Sequence, residues 1–241
     1  MNTKFVVTTS AAIWSLAFVG TASAQTTQKD EATESSSSSH TPLAPVSQSV
    51  ELTVGTGYSQ GFGDVGSGRP SLSDVGTAGG AVQVGLGYRF APQLSLGVYG
   101  AGSKFGRSDS MDSSATIYST AVGAEAAWHF VPSSSEFDPW VSFGAGWRAY
   151  WISQDQGTTA QHGLQLARVQ FGVDYRVAQS VAISPVIGAD ASILLTESTP
   201  QSGGFRNISQ PNVNTFLFVG LQGRFDIPTG AKEGPRQTAQ R

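Results

Sequence analysis

Three histidines and one pair of aspartates are the residues of this sequence that could do chemistry, since it contains no cysteine. His129 follows Glu125 at a spacing that places both side chains on one face of a strand, where the histidine could act as a general base. More commonly, a histidine at such a position is a polar side chain that fills the interior of the protein. Asp109 and Asp112 could bind a cation, but two carboxylates are a small ligand set for one. We therefore expect no catalytic, cofactor-binding or metal-binding residues.

The composition differs from that of a typical water-soluble protein. Charged residues make up 13% of the chain and hydrophobic residues 39%, with 29 glycines among 241 residues. Such a chain is poor in the lysine and glutamate that coat a water-soluble surface. The net charge of -3 argues against a nucleic-acid partner, because phosphate neutralisation needs clustered lysine and arginine. Without cysteine we expect neither disulfides nor a lipoprotein anchor.

The two ends of the chain differ in composition from its middle. Residues 1–24 are predicted to be a cleaved signal peptide, with a lysine near the start, an apolar core and the small-residue cleavage site Ala22-Ser23-Ala24. An uncleaved membrane helix is the alternative, but the apolar run is short and broken by hydroxyl residues. Residues 25–49 form a serine- and threonine-rich leader that is predicted to be flexible, and residues 228–241 form a polar tail.

Between these ends, hydrophobic residues recur with a period of two, which indicates β-strands. Glycine and β-branched residues fill the periodic segments and argue against helices. Eight strands are predicted, at residues 50–58, 81–90, 94–101, 118–130, 141–151, 168–177, 181–193 and 216–225.

The connections between these strands alternate in length. Long polar links are predicted at residues 59–79, 103–115, 152–163 and 196–213, and shorter ones at 91–93, 131–138 and 178–180. This alternation predicts that all long loops lie at one end of the protein and both chain ends at the other. Pro185 falls within a strand and has no N–H to donate, which predicts a bulge or a shifted strand boundary there.

The charged residues decide which face of each strand meets which solvent. Every charge that we place within a strand lies on the face rich in glycine, alanine and serine, and the apolar face has none. A soluble eight-stranded barrel would have the opposite polarity. An arginine turned toward lipid at the bilayer midplane costs about 2 to 4 kcal/mol, so a lipid-facing surface should lack such residues. The sequence therefore predicts an all-β fold, an eight-stranded antiparallel up-and-down transmembrane β-barrel over residues 50–227.

An interior polar network is expected inside such a barrel, because an isolated ion in a narrow lumen would be costly. Its predicted members are Glu51, Arg89, Glu125, His129, Arg148, Arg168, Asp174, Arg176, Asp190 and Arg224. Strand registers estimated from the turns place Arg168 nearly opposite Asp190 with Arg148 at the same level, which predicts a mid-barrel cluster of the three. They also pair Arg89 with Glu125, and closure of the barrel brings Glu51 and Arg224 together.

The final strand, Phe216 to Phe225, alternates apolar and small or polar residues and ends in an aromatic residue. Together with the predicted leader and the glycine-rich inward faces, it resembles the membrane domain of OmpA-like and OmpX/OmpW-like outer-membrane proteins. The resemblance implies a Gram-negative outer-membrane location with both termini in the periplasm. It also implies surrounding lipid and lipopolysaccharide, recognition of the last strand by the barrel-assembly machinery, and a monomer. The tail is too short to be the peptidoglycan-binding domain of OmpA.

Two functional classes remain for a barrel of this kind. The first is a non-enzymatic surface or structural protein whose loops serve adhesion, envelope integrity or partner binding. The second is a narrow channel for small or apolar solutes, which the bulky interior residues argue against. An enzyme is a weaker third interpretation, because lipid A deacylases carry a His-x-Ser pair. Here His40, His129 and His162 are followed at that spacing by Pro42, Val131 and Leu164.

Overall fold

A computed structural model of the protein describes residues 48–130 and 137–229. The predicted signal peptide, nearly all of the leader and most of the polar tail lie outside these residues. Within the described ranges, no helix is long and apolar enough to cross a membrane. The elements in chain order are β1 (Ser49–Phe62), α1 (Leu72–Val75), β2 (Gly76–Ala91), β3 (Leu94–Arg107), β4 (Thr116–His129), β5 (Phe137–Gln154), β6 (Gly157–Ala178), β7 (Val181–Ser198), β8 (Arg206–Asn207) and β9 (Val213–Pro228).

Eight of these strands close into a barrel. Each of β1 to β6 pairs antiparallel with the next strand, β7 pairs with β9, and β9 also pairs with β1 from Ser49↔Pro228 to Phe62↔Thr215. The two-residue β8 only adds to the far end of β7. Closure leaves no strand edge with unpaired backbone groups, which lipid could not solvate. The predicted antiparallel eight-stranded barrel is confirmed.

The two faces of the barrel have the predicted polarity. Val84 on β2 and Val219 on β9 are 55% and 57% exposed, whereas Glu51 and Arg89 are 3% and 0% exposed. Water-soluble proteins bury aliphatic residues and expose charged ones. A surface of exposed valine, leucine and phenylalanine around buried charges therefore matches a protein whose outer solvent is lipid.

The predicted long link at residues 152–163 is wrong. Strands β5 and β6 continue through it and meet at a two-residue turn, Asp155-Gln156, followed by Gly157 at φ 126°. At that φ, glycine is the residue that fits without steric cost. The segment lacks an apolar face because strands that extend beyond the lipid no longer need one, so its polar residues looked like a loop. The other long links are shorter than predicted for the same reason, at residues 63–75, 108–115 and 199–212.

Pro185 causes neither a bulge nor a shifted strand boundary, so that expectation is also wrong. Strand β7 runs through it, and its register with β9 stays constant from Ser184↔Gln222 through Pro185↔Leu221. Pairing with β6 pauses between Gly172↔Val186 and Tyr175↔Ile183 and then resumes in the same register. The missing N–H falls in this pause, and the exposed proline ring lies on the outer face.

One charge does lie on the outward face, contrary to the prediction that this face has none. Strand β3 extends to Arg107 instead of ending near residue 101, which brings Lys104 into the strand. Its side chain is exposed, whereas the next residue, Phe105, is buried in the barrel at 6% exposure. Lys104 lies near the loop end of β3, beyond the part of the strand that the periodicity had identified.

A charge placed on the outer face should test the solvent that this face meets. Val84→Arg at the middle of β2 should lower the free energy of unfolding by about 2 to 4 kcal/mol, and Val213→Arg at the loop end of β9 by only about 0 to 1 kcal/mol. The two valines are equally exposed, at 55% and 56%. Urea unfolding from lipid vesicles, followed by tryptophan fluorescence, measures both. If the two substitutions cost the same, the outer face does not meet lipid.

Candidate functional site

Polar groups of many strands converge in the barrel interior, and their lowest layer lies next to the short turns. Arg89 Nε donates to Glu51 Oε1 at 2.6 Å, and Arg224 Nη1 reaches the same oxygen at 3.3 Å. Both guanidinium groups also lie against His129 Nε2, at 3.3 and 3.2 Å. Guanidinium groups only donate, so Nε2 accepts, and Nδ1 carries the proton that is donated to Asp138 Oδ2 at 2.7 Å.

Asp174 extends this layer across the barrel. Arg224 Nε lies 3.0 Å from its Oδ2, while Trp140 Nε1 donates to Oδ1 at 2.8 Å and the Ser184 hydroxyl donates to Oδ1 as well. Arg224 therefore connects side chains from β1, β4 and β6 through a single guanidinium group. Beside it, Arg176 Nη1 donates to Asp226 Oδ2 at 2.8 Å and closes the barrel at the end of β9.

Three of these side chains, His129, Asp138 and Asp174, lie close enough to hold a metal ion, with one ligand atom from each within 4.8 Å of the others. Their contacts argue against a metal. Oδ1 of Asp174 already accepts hydrogen bonds from an indole and a hydroxyl, and Oδ2 lies 3.0 Å from Arg224 Nε in an ion pair. A divalent cation here would also lie against the guanidinium groups of Arg89 and Arg224, where the like charges would repel. The cluster is best described as a buried layer of ion pairs and hydrogen bonds.

The middle layer consists of amides, one arginine and one tyrosine. Gln83 accepts from Arg168 Nη2 at 2.5 Å and from Gln170 Nε2 at 3.0 Å, and its own amide donates to Gln222 at 3.0 Å. The Arg168 guanidinium lies over the Tyr99 ring, 4.2 Å from its centroid. These contacts span β2, β3, β6 and β9 and fill the barrel at mid-height.

The upper layer is built on Arg148. Its guanidinium donates to Asp190 at 2.5 Å and to Ser192 and Ser119 at 3.0 Å each, and it lies 3.9 Å from the centroid of the Phe216 ring. Four polar or aromatic partners on three strands, β4, β7 and β9, hold this one side chain across the lumen. Arginine suits the position because its planar group can donate in several directions while it stacks on a ring.

Above Arg148 an apolar cap closes the loop end of the barrel. Its buried members are Val65, Leu72, Val75, Phe105, Ile117, Tyr150, Leu194, Ile208 and Phe216. Strands supply five of them, and the connections at 63–75 and 199–212 supply the other four. Arg69 and Glu197 form a bidentate ion pair that ties the first connection to β7, with Nη1 and Oε2 2.5 Å apart. The cap was missed from the sequence because its connections looked uniformly polar.

The structure places all ten residues of the predicted network inside the barrel. Eight are buried, and the side chains of Glu125 and Asp190 are 22% and 15% exposed. Glu51 and Arg224 meet as the register predicted. Sequence reasoning missed Asp138, Asp226 and Trp140, which continue the inward face at strand ends that periodicity alone had not reached.

One predicted pairing is wrong, and one predicted cluster forms in part. Arg89 pairs with Glu51 and not with Glu125, because β1 is its other neighbour and Glu125 lies one inward position higher on β4. Arg168 and Asp190 lie opposite each other as predicted, and Arg148 binds Asp190, but Arg168 turns toward Gln83 and lies 3.9 Å from Glu125. Arg148 itself lies higher than predicted, at the level of Leu194. Register gives the level of a side chain but not the direction in which a long arginine turns.

Little empty space remains between these layers. One cavity of about 30 Å³ lies between Glu51, Glu125, Trp140 and Ser142, and a second of about 20 Å³ lies beside Arg148. Each is large enough for one or two water molecules. Among the described residues, side chains therefore fill the lumen from the short turns to the cap.

Comparison with known proteins supports the fold. No protein-family model matches the chain, and no curated protein matches it. The crystal structure of Neisserial surface protein A is similar at a TM-score of 0.52 and 14% identity, covering 74% of this chain and 97% of that one. The fold is that of small outer-membrane barrels. The outer membrane protein OprG from Pseudomonas aeruginosa shares 11% identity at a TM-score of 0.48, covering 76% of this chain and 99% of that one.

The lowest layer should be sensitive to loss of a single charge. Glu51→Gln leaves Arg89 and Arg224 with less than their full counter-charge, and breaking such a buried pair costs about 3 to 5 kcal/mol. Glu125→Gln is the matched control, since its nearest cationic atom, on Arg168, is 3.9 Å away. Urea unfolding in lipid vesicles should show a large loss for the first variant and a loss well below it for the second. Equal losses would contradict the pairing described above.

Proposed function

We propose that this protein is a non-enzymatic barrel of the Gram-negative outer membrane that stays closed and presents a surface of connections outside the cell. The surface would serve adhesion, envelope integrity or binding of a partner. The observation that carries the proposal is the lumen of the described residues, which three polar layers and an apolar cap occupy, with two water-sized cavities beside Glu51 and Arg148. A channel for small or apolar solutes is the alternative, and it requires a path that these layers occupy.

The proposed orientation rests on where the chain ends and the connections lie. Thr229 N donates to Gln48 O at 3.1 Å, so the described ends of the chain meet at the end of the barrel that carries the short turns at 92–93 and 179–180. The connections at 63–75, 108–115 and 199–212 lie at the opposite end, together with the turn at 155–156. In barrels of this kind the short turns face the periplasm and the longer loops face outward. We therefore place both termini in the periplasm.

The outward surface is held by its own contacts. Ser108 and Ser110 both donate from their hydroxyls to Asp74 O, the latter at 2.8 Å, which joins the second connection to the first. Arg107 donates to Ser113 O within the second connection. A surface that is ordered before it meets a partner loses less conformational entropy on binding, which favours specific recognition.

Among the described residues, neither His129 nor His162 is placed where it could act in catalysis. His129 is 0% exposed and enclosed by Asp138 and two arginines, so a substrate does not reach it. His162 lies on the outside, where its ring contacts Trp147, Trp151 and Phe205. No described contact joins it to a carboxylate or hydroxyl that could complete a catalytic pair.

The last strand supports the proposal that the barrel-assembly machinery is a partner of this protein. Strand β9 carries the segment from Phe216 to Phe225, with the aromatic ring of Phe225 41% exposed on the outer face. We infer that the machinery recognises this strand before β9 pairs with β1. The surrounding partners of the finished barrel would be outer-membrane lipid and lipopolysaccharide, and we propose that it is a monomer.

The closed interior should be electrically silent. Purified protein in planar bilayers should give no stable, salt-dependent current steps, because the arginine layers occupy the lumen. Replacing residues 64–74 with a short glycine and serine linker removes Val65 and Leu72 from the cap, and the variant should also stay silent, since three polar layers remain beneath. A porin in the same bilayers controls for the method. Steps from either protein would favour the channel, and steps from the variant alone would indicate a gated one.

Assembly should depend on the terminal aromatic residue. Phe225→Ala should reduce the amount of folded, heat-modifiable protein in the outer membrane several-fold. Phe90→Ala is the matched control, because Phe90 is also outward and exposed near the short turns, on β2 instead of β9. Gel mobility with and without heating measures the folded fraction. Equal yields of the two variants would argue against recognition through the last strand.

A further inference from the structure

Lys104 is the single charged residue on the outward face of the eight barrel strands, within the described part of the chain. No carboxylate forms a salt bridge with it there. The contact described for its ammonium group is with an aromatic ring, since Nζ lies 6.0 Å from the centroid of the Tyr118 ring on β4. A lone cation on a surface otherwise cleared of charge needs a counter-charge from outside the protein or exposure to water.

The position of Lys104 along β3 places it at the edge of the hydrocarbon. Ten residues separate it from Leu94 at the short-turn end of the strand. At about 3.3 Å per residue and a tilt of about 40°, this spans roughly 25 Å, which is the height of the apolar band of such barrels. Lys104 therefore lies where the head groups of the facing leaflet begin.

Aromatic rings lie beside Lys104 on one side. Tyr118 is its register partner on β4, and Trp151 is the register partner of Tyr118 on β5, so the three outward residues form one row. Tyrosine and tryptophan are enriched at this depth because one part of the ring is apolar and the other is polar. The row offers a cation followed by two flat ring surfaces on the neighbouring strands.

The surface on the other side of Lys104 is open. Gly80, its register partner on β2, would place a Cβ within 4 Å of nothing. Gly102, the next outward residue toward the membrane centre, would meet only the Val82 Cγ2 at 3.9 Å. The two glycines thus leave a flat strip of surface, free of side chains, beside Lys104.

We propose that Lys104, with Tyr118 and Trp151, binds the phosphorylated head group of a glycolipid of the outer leaflet, of the lipopolysaccharide class. The phosphate lies on the ammonium group, a sugar ring lies against the aromatic row, and an acyl chain follows the strip at Gly102. Charge complementarity supports this occupant, because a lysine near a membrane surface attracts anionic lipid head groups and is a common phosphate ligand. The inference rests on the proposed orientation, which places this end of the barrel in the outer leaflet.

Native mass spectrometry of the full-length protein with added lipid A tests the site. Lys104→Gln should weaken binding of bis-phosphorylated lipid A about fivefold, the effect of about one basic residue at a membrane surface. Arg107→Gln is the matched control, since it removes a charge from the same strand at a side chain that bonds to Ser113 O instead of facing lipid. Lys104→Arg should keep most of the binding. Heat-modifiable mobility verifies that each variant is folded.

The lipid partner is tested with two further probes. Dephosphorylated lipid A should bind the natural protein more weakly, and Lys104→Gln should weaken it no further. Phosphatidylglycerol should show no comparable dependence on Lys104. If Lys104→Gln binds bis-phosphorylated lipid A as the natural protein does, the lysine merely reaches water and the proposal fails. If phosphatidylglycerol loses as much affinity, the site is a general anionic contact and the glycolipid assignment fails.

Failure of the proposed orientation would give a different result. The chain has no cysteine, so a cysteine introduced as Gln201→Cys, at an exposed position of the 199–212 connection, is its only thiol. An impermeant maleimide should label it in intact cells if the loop end faces outward. Lipid binding without labelling would contradict the orientation and leave the lipid site, whereas labelling without binding would contradict the site alone.

Discussion

The lack of water around the outer face is the constraint on which the rest of this structure depends. In hydrocarbon an unpaired backbone N–H or C=O costs several kcal/mol, so every strand needs two neighbours and β9 must close on β1. The same medium excludes charge, and the alternation of a strand then sends every charged side chain in the spanning part inward. The closure of the barrel and the placement of charges inside with apolar residues outside thus both follow from the lipid around the outer face.

The inward charges impose a second constraint, because five arginines must be held in a narrow lumen. Each is met by a carboxylate, an amide, a ring or a combination of these, and Arg224 alone joins β1, β4 and β6. Removing one partner from such a layer costs more than the layer itself contributes, because the remaining charge is left buried. Interiors of this kind resist rearrangement, which suits a support for an ordered outer surface and does not suit a conduit.

The alternation of apolar and polar residues was enough to predict the barrel strands and the faces on which charges lie. It was not enough to predict the parts of strands that lie at or beyond the edge of the membrane. Alternation was enough to find all eight strands and to assign Glu51 and Arg224 to the lumen. It did not find the upper parts of β5 and β6, because strands that rise beyond the membrane lose their apolar face and look like loops. The extension of β3 past residue 101 was missed for the same reason, and with it the outward position of Lys104. The predicted partner of Arg89 was wrong, and the cluster around Arg168 forms only in part, because a long side chain can reach the next level or the opposite wall, which register does not specify.

The most direct test of the account is a single-cysteine scan of β9 in lipid vesicles, since the natural chain has no cysteine. A nitroxide attached in turn to each residue from 217 to 222 reports its collisions with oxygen, which concentrates in lipid. Collision rates should alternate, high at Leu217, Val219 and Leu221 and low at Phe218, Gly220 and Gln222. A flat profile, or a pattern in which the odd positions collide with a water-soluble relaxant instead, would contradict a barrel whose apolar face meets lipid.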